Sequence, residues 1–407
     1  MNGATSKFNI DADGLVAFTQ ALVRVRSVHD AATSNTEGQA AALVEAKMRS
    51  FGWDPEVIEI EPGRPNVIAV LHGNRPGPTL MFEGHTDVVT EGDLSEWTFD
   101  PYGAEIRDGK LLGRGSADMK SGLAAMIYAA RAVERAGDFP GTLVVGALAD
   151  EEGMMIGAKA FAGSSLALGV DGAIICEPED GEICNVAKGA IRMKVIIKGK
   201  MAHGAMPQHG RNPIPVAAAI ISKLAALQDE LQKEHGEHPT LGDIYLTPTV
   251  LDGGDNDQIN VIPTVCSLAA DIRTTTAVDH PTLLSHIHSL VDQSALEAGC
   301  EATFVVIDDR PPVDTPIDDP VVAALAAAHE RVTGGTPVYG GVPGTTDGTI
   351  LTRDAAIPTV VYGPGDKWIA HQANEWVSVE DIVINAHVYA EAAAEFLNSD
   401  IAARKAK

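Results

Sequence analysis

Short apolar segments alternate with helical segments over the first half of the chain, and this alternation restricts the possible folds strongly. The apolar segments are bounded by glycine, proline or polar residues, a pattern typical of buried strands. Strands are predicted at 66–71, 79–82, 142–148 and 172–176, and helices at 13–27, 36–51 and 121–136. Strands that alternate with helices predict an α/β layered domain with a mostly parallel sheet.

The pattern changes after Lys188. Residues 191–198 alternate apolar and polar side chains, as expected for a strand with one exposed face. The predicted elements that follow are a helix at 213–233, strands at 244–251 and 266–272, a helix at 280–298 and a strand at 302–307. This β-α-β-β-α-β order is the ferredoxin-like arrangement, and we assign it to an inserted domain at 189–308.

The first pattern returns near the C-terminal end, with a helix at 320–333, a strand at 358–362 and a helix at 379–397. The inserted domain therefore divides the first domain into residues 1–188 and 309–407. Two domains also agree with a length of 407 residues, which is too long for one ordinary domain.

Acidic residues outnumber basic ones by 56 to 30, which gives a formal net charge of −26. Proteins bind the phosphates of nucleic acid through patches of lysine and arginine, so the charge argues against a nucleic-acid partner. Two interpretations of the acidity stay open. It is a solvated surface that favours solubility, or a few of the carboxylates bind metal ions.

The four cysteines are scattered and form no CxxC pair, as is typical of reduced thiols in a cytoplasmic protein. The first residues show no basic region followed by an apolar one, so we expect no signal peptide. A run of about 18 apolar residues is also missing, which argues against a membrane span. We therefore expect a cytoplasmic protein that does not act at a membrane.

Histidine and acidic residues concentrate at the ends of predicted strands, where open α/β sheets bind their ligands. His85 follows the strand at 79–82, and the nearby Asp87 is well placed to orient a metal-binding ring. Asp118 follows a glycine-rich turn and precedes a predicted helix. Taken alone, His85 also fits a loop hydrogen bond, and Asp118 fits a helix N-cap.

Three acids at 150–152 come directly after one predicted strand, and Glu177 ends the next. Successive acids repel one another, so a compensating cation is expected, although an acidic loop also explains the run. A carboxylate beside a metal ligand is well placed as a general base. With His371 far downstream, these residues give the mixed nitrogen and oxygen ligand set that suits zinc, with cobalt and manganese as alternatives.

Five motifs occur in the order found in one known family: His85-Thr86-Asp87, Gly113-Arg114-Gly115 with Asp118-Met119-Lys120, Asp150-Glu151-Glu152-Gly153, Glu177-Pro178, and His371 with Asn374-Glu375. Over residues 13–397 the chain resembles the acetylornithine deacetylase, succinyl-diaminopimelate desuccinylase and glutamate carboxypeptidase family of co-catalytic zinc hydrolases. The resemblance implies a catalytic domain interrupted by a ferredoxin-like lid that forms a homodimer.

The resemblance also implies two divalent metal ions per subunit, with zinc as the first choice. Asp118 would bridge the two ions, and Glu151 would take the proton from a water molecule between them. Asp87 would orient the ring of His85. The other metal ligands that the family implies are His85, Glu152, Glu177 and His371.

Further resemblance lies in the inserted domain and in a downstream loop. His203 matches a histidine that enters the active site of the partner subunit and stabilises the oxyanion. Asn260 and Arg273 match residues that hold the substrate carboxylate, although Arg273 also fits a surface ion pair and Asn260 a turn. The residues that match a glycine-rich substrate loop are Gly344, Thr345 and Thr346.

The implied activity is hydrolysis of an amide bond in a small substrate that carries a free carboxylate. An N-acyl amino acid and a small peptide both fit this description, with Glu151 as general base. Two alternatives stay open: hydrolytic removal of an amine from another activated small molecule at the same site, and a non-catalytic metal- or peptide-binding protein on this scaffold.

Overall fold

The computed structural model describes residues 6–400, which form two compact units. The first unit contains the residues up to Asn185, Thr315–Gly340 and the residues from Thr346 onward, and the second contains Val186–Asp314 and Gly341–Thr345.

The helices in the described range are α1 (Ala12–Val23), α2 (Gly38–Ser50), α3 (Ser121–Ala136), α4 (Ile156–Ala162), α5 (Pro213–His235), α6 (His280–Glu297), α7 (Pro320–Thr333), α8 (Asp347–Ala355) and α9 (Val379–Leu397). The strands are β1 (Glu56–Glu61), β2 (Arg64–His72), β3 (Arg75–His85), β4 (Ile106–Arg107), β5 (Lys110–Leu112), β6 (Pro140–Leu148), β7 (Gly172–Ile175), β8 (Glu182–Ala187), β9 (Gly189–Lys198), β10 (Ala202–His203), β11 (Tyr245–Gly253), β12 (Val261–Ile262), β13 (Val265–Thr274), β14 (Glu301–Arg310), β15 (Val313–Asp314), β16 (Val338–Val342), β17 (Thr359–Val361) and β18 (Trp376–Ser378).

A mixed sheet, with strands in the order β1-β2-β6-β3-β7-β17-β8, forms the centre of the first unit. β3 is parallel to both of its neighbours, β6 and β7, and β7 is parallel to β17. The outer pairs β1–β2, β2–β6 and β17–β8 are antiparallel. The predicted α/β fold with a mostly parallel central sheet is confirmed, and the antiparallel strands extend that sheet at its sides.

Small residues let α3 pack closely inside the first unit. Between Ser121 and Val133 almost every residue of this helix is buried, and it contacts α9 and β3. Gly122 makes the tightest approach, because a Cβ atom added there would lie 1.9 Å from the carbonyl oxygen of Cys176. The first turn of α3 is therefore fixed against the segment that leads from β7 to Glu177.

An antiparallel sheet in the order β11-β13-β9-β14 and two helices, α5 and α6, form the second unit. β13 alternates buried and partly exposed residues, so that one face of the sheet joins the apolar sides of α5 and α6 in a separate hydrophobic core. The element order β9, α5, β11, β13, α6, β14 follows the β-α-β-β-α-β order expected from the sequence.

Short strands that the sequence pattern does not predict connect loops of the first unit. β18 pairs with β5, and β5 pairs with β4. Trp376 lies opposite Leu112, so the segment after His371 runs beside the segment that leads to Asp118. Strands of two or three residues are too short to show a period of two, which is why the sequence did not indicate them.

Two further features of the described range are the length and polarity of its helices and the state of its cysteines. Within residues 6–400, every helix is too short or too polar to cross a membrane. The cysteines all lie in this range and have free thiols, and Cys176, Cys184 and Cys266 are buried. Buried thiols of this kind pack as small apolar side chains.

Candidate active site

Parallel strands bring several predicted site residues to one edge of the first unit's sheet. β3 ends at His85, beside the last residue of β6, and β7 ends two residues before Glu177. Because β3 lies between β6 and β7 and is parallel to both, the acids at 150–152 and Glu177 emerge next to His85. The positions of these residues at strand ends explain why they meet.

Asp118 lies between two histidines. Its Oδ1 is 3.2 Å from Nε2 of His85, and its Oδ2 is 3.4 Å from Nε2 of His371. Glu177 Oε1 is 3.2 Å from the same nitrogen of His85, and Glu152 Oε1 is 3.0 Å from that of His371. The side chains thus form two clusters that share Asp118, and the potential ligand atoms of each cluster lie within 4.8 Å of one another.

The two clusters differ in their exposure to solvent. The side chain of His85 is 1% exposed, whereas that of His371 is 54% exposed. Asp118 and Glu152 are intermediate, at 13% and 12%. The site is therefore open to solvent on the side of His371 and closed around His85.

Asp87 connects the His85 ring to the acidic turn. Nδ1 of His85 lies 3.0 Å from the carbonyl oxygen of Asp87 and 3.4 Å from its Oδ1. The two carboxylate oxygens of Asp87 accept hydrogen bonds from the amides of Glu151 and Glu152, at 3.2 and 3.1 Å. Asp87 thus contacts both the ring of His85, which the sequence predicts that it orients, and the amides of the two acids.

Arg64 fixes the turn that carries Glu151 and Glu152, a role that the sequence did not indicate. Its guanidinium forms buried ion pairs with Asp150, through Nη2, and with Glu37, through Nε at 2.9 Å. Asp150 also accepts a hydrogen bond from the amide of Met154 at 2.9 Å. Arg64 is distant in sequence from the turn that carries Glu151 and Glu152, so no local sequence pattern links the two.

The carboxyl group of Glu151 lies in the same buried region. One of its oxygens belongs to a group with ligand atoms of His85 and Glu152 that lie within 4.8 Å of one another. Burial raises its pKa well above the usual range, although the charge of His85 lowers it. A carboxyl group with a raised pKa, next to potential metal ligands, is suited to accept and return a proton.

Negative charge dominates the two clusters. Burial lowers the pKa of His85, but the charge of Glu177 and hydrogen bonds to nearby carboxylates hold it well above the usual range. Hydrogen bonds to Asp118 and Glu152 raise the pKa of His371 to about 10. Burial and the charge of Asp118 raise the pKa of Glu177 to about 8. Besides burial, these pKa shifts reflect a surplus of buried carboxylates over cations.

A divalent cation would offset this surplus. The two imidazoles and three carboxylates of the clusters are the nitrogen and oxygen donors that zinc, cobalt and manganese bind. Asp118 directs one oxygen to each cluster, which is the arrangement that a bridging carboxylate requires. The residues present therefore fit a pair of divalent metal ions.

Two other buried charged groups near the ligands were not assigned from the sequence. Nζ of the fully buried Lys120 donates to the carbonyl oxygen of Val25 at 2.7 Å, and burial lowers the pKa of this lysine to about 7. Glu83 on β3 contacts Asp347 at the start of α8, and burial raises the pKa of Glu83 well above its usual value. In the sequence, Lys120 and Glu83 each appear as a charged residue beside an apolar segment. That pattern by itself assigns no role.

His203 and Asn260 come together in the second unit. His203 lies on β10 and Asn260 directly precedes β12, with which β10 pairs, and the amide of Gly204 donates to the carbonyl oxygen of Asn260 at 2.7 Å. Nδ1 of His203 accepts a hydrogen bond from the amide of Ala205 at 3.0 Å. The neutral ring therefore has its proton on Nε2 and can act as a donor there.

Arg273 lies on β13 of the second unit, and its Nε donates to Asp271 at 2.8 Å. This contact is the ion pair that the sequence left open as an alternative. The pair is partly exposed, at 30% for the arginine side chain and 31% for the aspartate. The guanidinium is therefore also accessible to solvent.

The loop at 344–346 is divided between the two units. Gly344 and Thr345 belong to the second unit, where Oγ1 of Thr345 accepts from Nη1 of Arg310 at 3.3 Å. Thr346 belongs to the first unit, and its side chain caps the N-terminus of α8. The sequence did not indicate this capping role for Thr346.

The chain is similar to one protein-family model and to a named relative. Residues 81–395 match the family model described as peptidase family M20/M25/M40. The chain is 30% identical over 377 residues to the succinyl-diaminopimelate desuccinylase of Dinoroseobacter shibae, covering 90% of this chain and 95% of the relative. The matched range includes the residues of both ligand clusters.

The fold of the chain is similar to that of several solved structures. The aminopeptidase PepT from Bacillus cereus has a TM-score of 0.77 and 24% identity, covering 96% of this chain and 100% of that chain. The YXEP protein of Bacillus subtilis, a dinuclear metal-binding peptidase of the M20 family, has a TM-score of 0.71 and 19% identity, covering 95% and 98%. With the family match over most of its length, the chain belongs to peptidase family M20/M25/M40 and is a hydrolase of that metallopeptidase family.

Proposed function

We propose that this hydrolase uses two divalent metal ions to cleave the amide bond of a small, carboxylate-bearing substrate of the N-acyl amino acid class. The observation that carries the proposal is the position of Asp118, whose two oxygens face His85 and His371 at 3.2 and 3.4 Å. A carboxylate that faces two imidazoles in this way is suited to bind two cations at once.

The proposed metal ligands are the members of the two clusters. His85 and Glu177 belong to one cluster, Glu152 and His371 to the other, and Asp118 to both. When bound, the metal ions polarise the substrate carbonyl and lower the pKa of a water molecule. Zinc is the first choice for this donor set, and cobalt and manganese are alternatives.

Glu151 is the proposed general base. It accepts a proton from the attacking water as the oxygen forms a bond to the carbonyl carbon, and it returns that proton to the amine as the carbon–nitrogen bond breaks. Asp87 holds the main chain of Glu151 through the hydrogen bond from its amide at 3.2 Å. The base is thus fixed relative to the His85 ring.

His203 of the partner subunit is the proposed donor to the oxyanion. The hydrogen bond from the Ala205 amide to Nδ1 supports this role, because it leaves the proton of a neutral ring on Nε2. A donor of this kind contributes about 2.7–4 kcal/mol of transition-state stabilisation.

The proposal that His203 acts in the partner's site requires a homodimer through the second unit. The apolar side chains of Val250 and Leu251 on the edge strand β11, which are 53% and 55% exposed, support this dimer.

The substrate is proposed to contact Arg273, Asn260 and the loop formed by Gly344, Thr345 and Thr346, with Arg273 as the partner of the substrate carboxylate. Arginine pairs with carboxylates through parallel hydrogen bonds, and its partial exposure leaves it accessible. Among N-acyl groups, succinyl is the first candidate, because the relative from Dinoroseobacter shibae is named a succinyl-diaminopimelate desuccinylase.

The test is a substrate panel with protein reconstituted with zinc, cobalt or manganese. The panel contains N-succinyl and N-acetyl amino acids and dipeptides, each with a matched substrate whose α-carboxylate is blocked as an amide. We expect primary amine to be released from the free acids and very little from the blocked forms. Release of ammonia from another class of substrate would favour the amine-removing alternative, and two bound metals without hydrolysis of any panel member would contradict the proposed substrate class.

A further inference from the structure

A buried ion pair between Arg114 and Glu375 lies next to Asp118. Arg114 is 2% exposed and Glu375 is fully buried, and Nη1 of the arginine is 2.5 Å from Oε2 of the glutamate. Removing two charges from water is unfavourable unless hydrogen bonds compensate both. Neither side chain takes part in the proposed proton transfers, so the pair requires another explanation.

Glu375 holds the turn that ends at Asp118. Its Oε2 also accepts from the amide of Gly115 at 3.0 Å, and its Oε1 accepts from the amides of Ala117 and Asp118 at 2.9 and 3.1 Å. Both carboxylate oxygens are used, and three of the four donors are main-chain amides of a single turn. The side chain of Glu375 therefore fixes the main chain of Asp118.

Arg114 connects the same ion pair to the other ligand. Its Nη2 donates to the carbonyl oxygen of His371 at 3.3 Å, and its guanidinium lies over the ring of Trp97, 5.3 Å from the centroid. The amide of Gly113 also donates to the carbonyl oxygen of Glu375 at 3.0 Å. A planar guanidinium makes such contacts in several fixed directions, which a lysine ammonium cannot reproduce.

We propose that Glu375 and Arg114 are positioning residues that fix the carboxylate of Asp118 relative to the imidazole of His371, so that the two can bind one metal ion. The inference rests on the proposed function, in which both of these residues are metal ligands. Glu375 holds the main chain of Asp118, and Arg114 holds that of His371. Groups that orient metal ligands affect affinity although they do not touch the ion.

The test is a titration of metal-free protein with Co²⁺ in competition with a chelator, followed by visible absorption. The variants are Glu375→Gln, which keeps the size of the side chain but directs an amide towards N–H donors, and Arg114→Lys. We expect the affinity of at least one Co²⁺ site to fall about 10–100-fold, with a changed absorption band. Activity should recover when Co²⁺ is raised to saturation, which a general loss of folding would not allow.

Glu391 provides a matched control. It is also a buried carboxylate, at 2% exposure, and it accepts hydrogen bonds from Oγ of Ser6, the amide of Lys7 and Nη1 of Arg331 at 3.0, 2.9 and 3.1 Å. None of these partners belongs to the ligand clusters. Glu391→Gln should leave both Co²⁺ affinities within about twofold of the wild type.

The outcomes separate this inference from the proposed function. Wild-type affinity and absorption in both Glu375→Gln and Arg114→Lys would overturn the inference. A wild-type protein that fails to bind two Co²⁺ ions would contradict the proposed function instead. If circular dichroism shows that Glu375→Gln does not fold, Arg114→Lys decides, because it keeps the positive charge beside Glu375.

Discussion

Glu151 and Glu152 are adjacent in sequence but have different surroundings. Glu152 lies 3.0 Å from Nε2 of His371, in the more exposed cluster, whereas Glu151 is near His85 in the closed part of the site. Asp87 accepts a hydrogen bond from the amide of each. A single anchor thus holds both the proposed metal ligand, Glu152, and the proposed base, Glu151.

The variant Glu151→Gln removes the proposed proton acceptor with almost no change in size. We expect kcat to fall by about 10²–10⁴-fold, because that is the usual contribution of a positioned general base. Metal content, measured by mass spectrometry, should not change. Glu152→Gln is the comparison, since the loss of a ligand should lower the metal content as well. A Glu151→Gln protein with nearly normal turnover would rule out this assignment.

Metal binding to the two histidines should release protons. The pKa of His371 is raised to about 10, so its ring is protonated at neutral pH in metal-free protein, and the pKa of His85 is shifted in the same direction. A metal binds the neutral imidazole, and its affinity should therefore rise with pH. Calorimetry in buffers of different ionisation enthalpy would measure the protons released. An affinity that is constant between about pH 6 and about pH 8 would contradict the expectation.

Among the structural elements, the strand ends were predictable and the contacts between distant loops were not. β6 and β7 are continuous apolar runs, and the acids after them mark where each strand ends. Arg114 and Glu375 are 261 residues apart, and β18, which lies just after Glu375, has only three residues. Periodicity reports local structure alone, so Glu375 could be recognised as part of a motif but not as the group that holds Asp118.

Helix α3 should be sensitive to substitution at its first turn. In Gly122→Ala the new methyl group would lie 1.9 Å from the carbonyl oxygen of Cys176, so the helix or the segment before Glu177 must move. We expect a loss of about 1–3 kcal/mol in the free energy of unfolding, together with weaker metal binding. Denaturant unfolding and a chelator titration would measure the two effects.

Gly163→Ala is the control for this prediction. Gly163 follows α4, and an added Cβ atom would meet its nearest neighbour at an ordinary 3.6 Å. The free energy of unfolding of the Gly163→Ala variant should change by less than about 1 kcal/mol. Equal effects of the two substitutions would show that the close approach of α3 to Cys176 does not limit the packing.

In the molecule as a whole, the first unit is interrupted in sequence but has one continuous core. Val133 of α3 and Tyr389 of α9 belong to the same cluster of buried side chains, although the second unit lies between them in the chain. The second unit has its own core, which contains only residues of the inserted segment. The first unit therefore depends on its last helix, and the proposed ligands that precede the insertion lie beside His371, which follows it.

The proposed action of His203 across a dimer predicts that two inactive variants restore activity when mixed. In a mixed dimer, one site would combine His203 of the Glu151→Gln chain with Glu151 of the His203→Ala chain. Random pairing after the two variants are unfolded and refolded together should restore about a quarter of the wild-type sites. Each variant refolded alone is the control. Activity equal to the average of the two variants would place His203 in its own subunit's site, and a mass of 42.6 kDa in sedimentation would exclude the dimer.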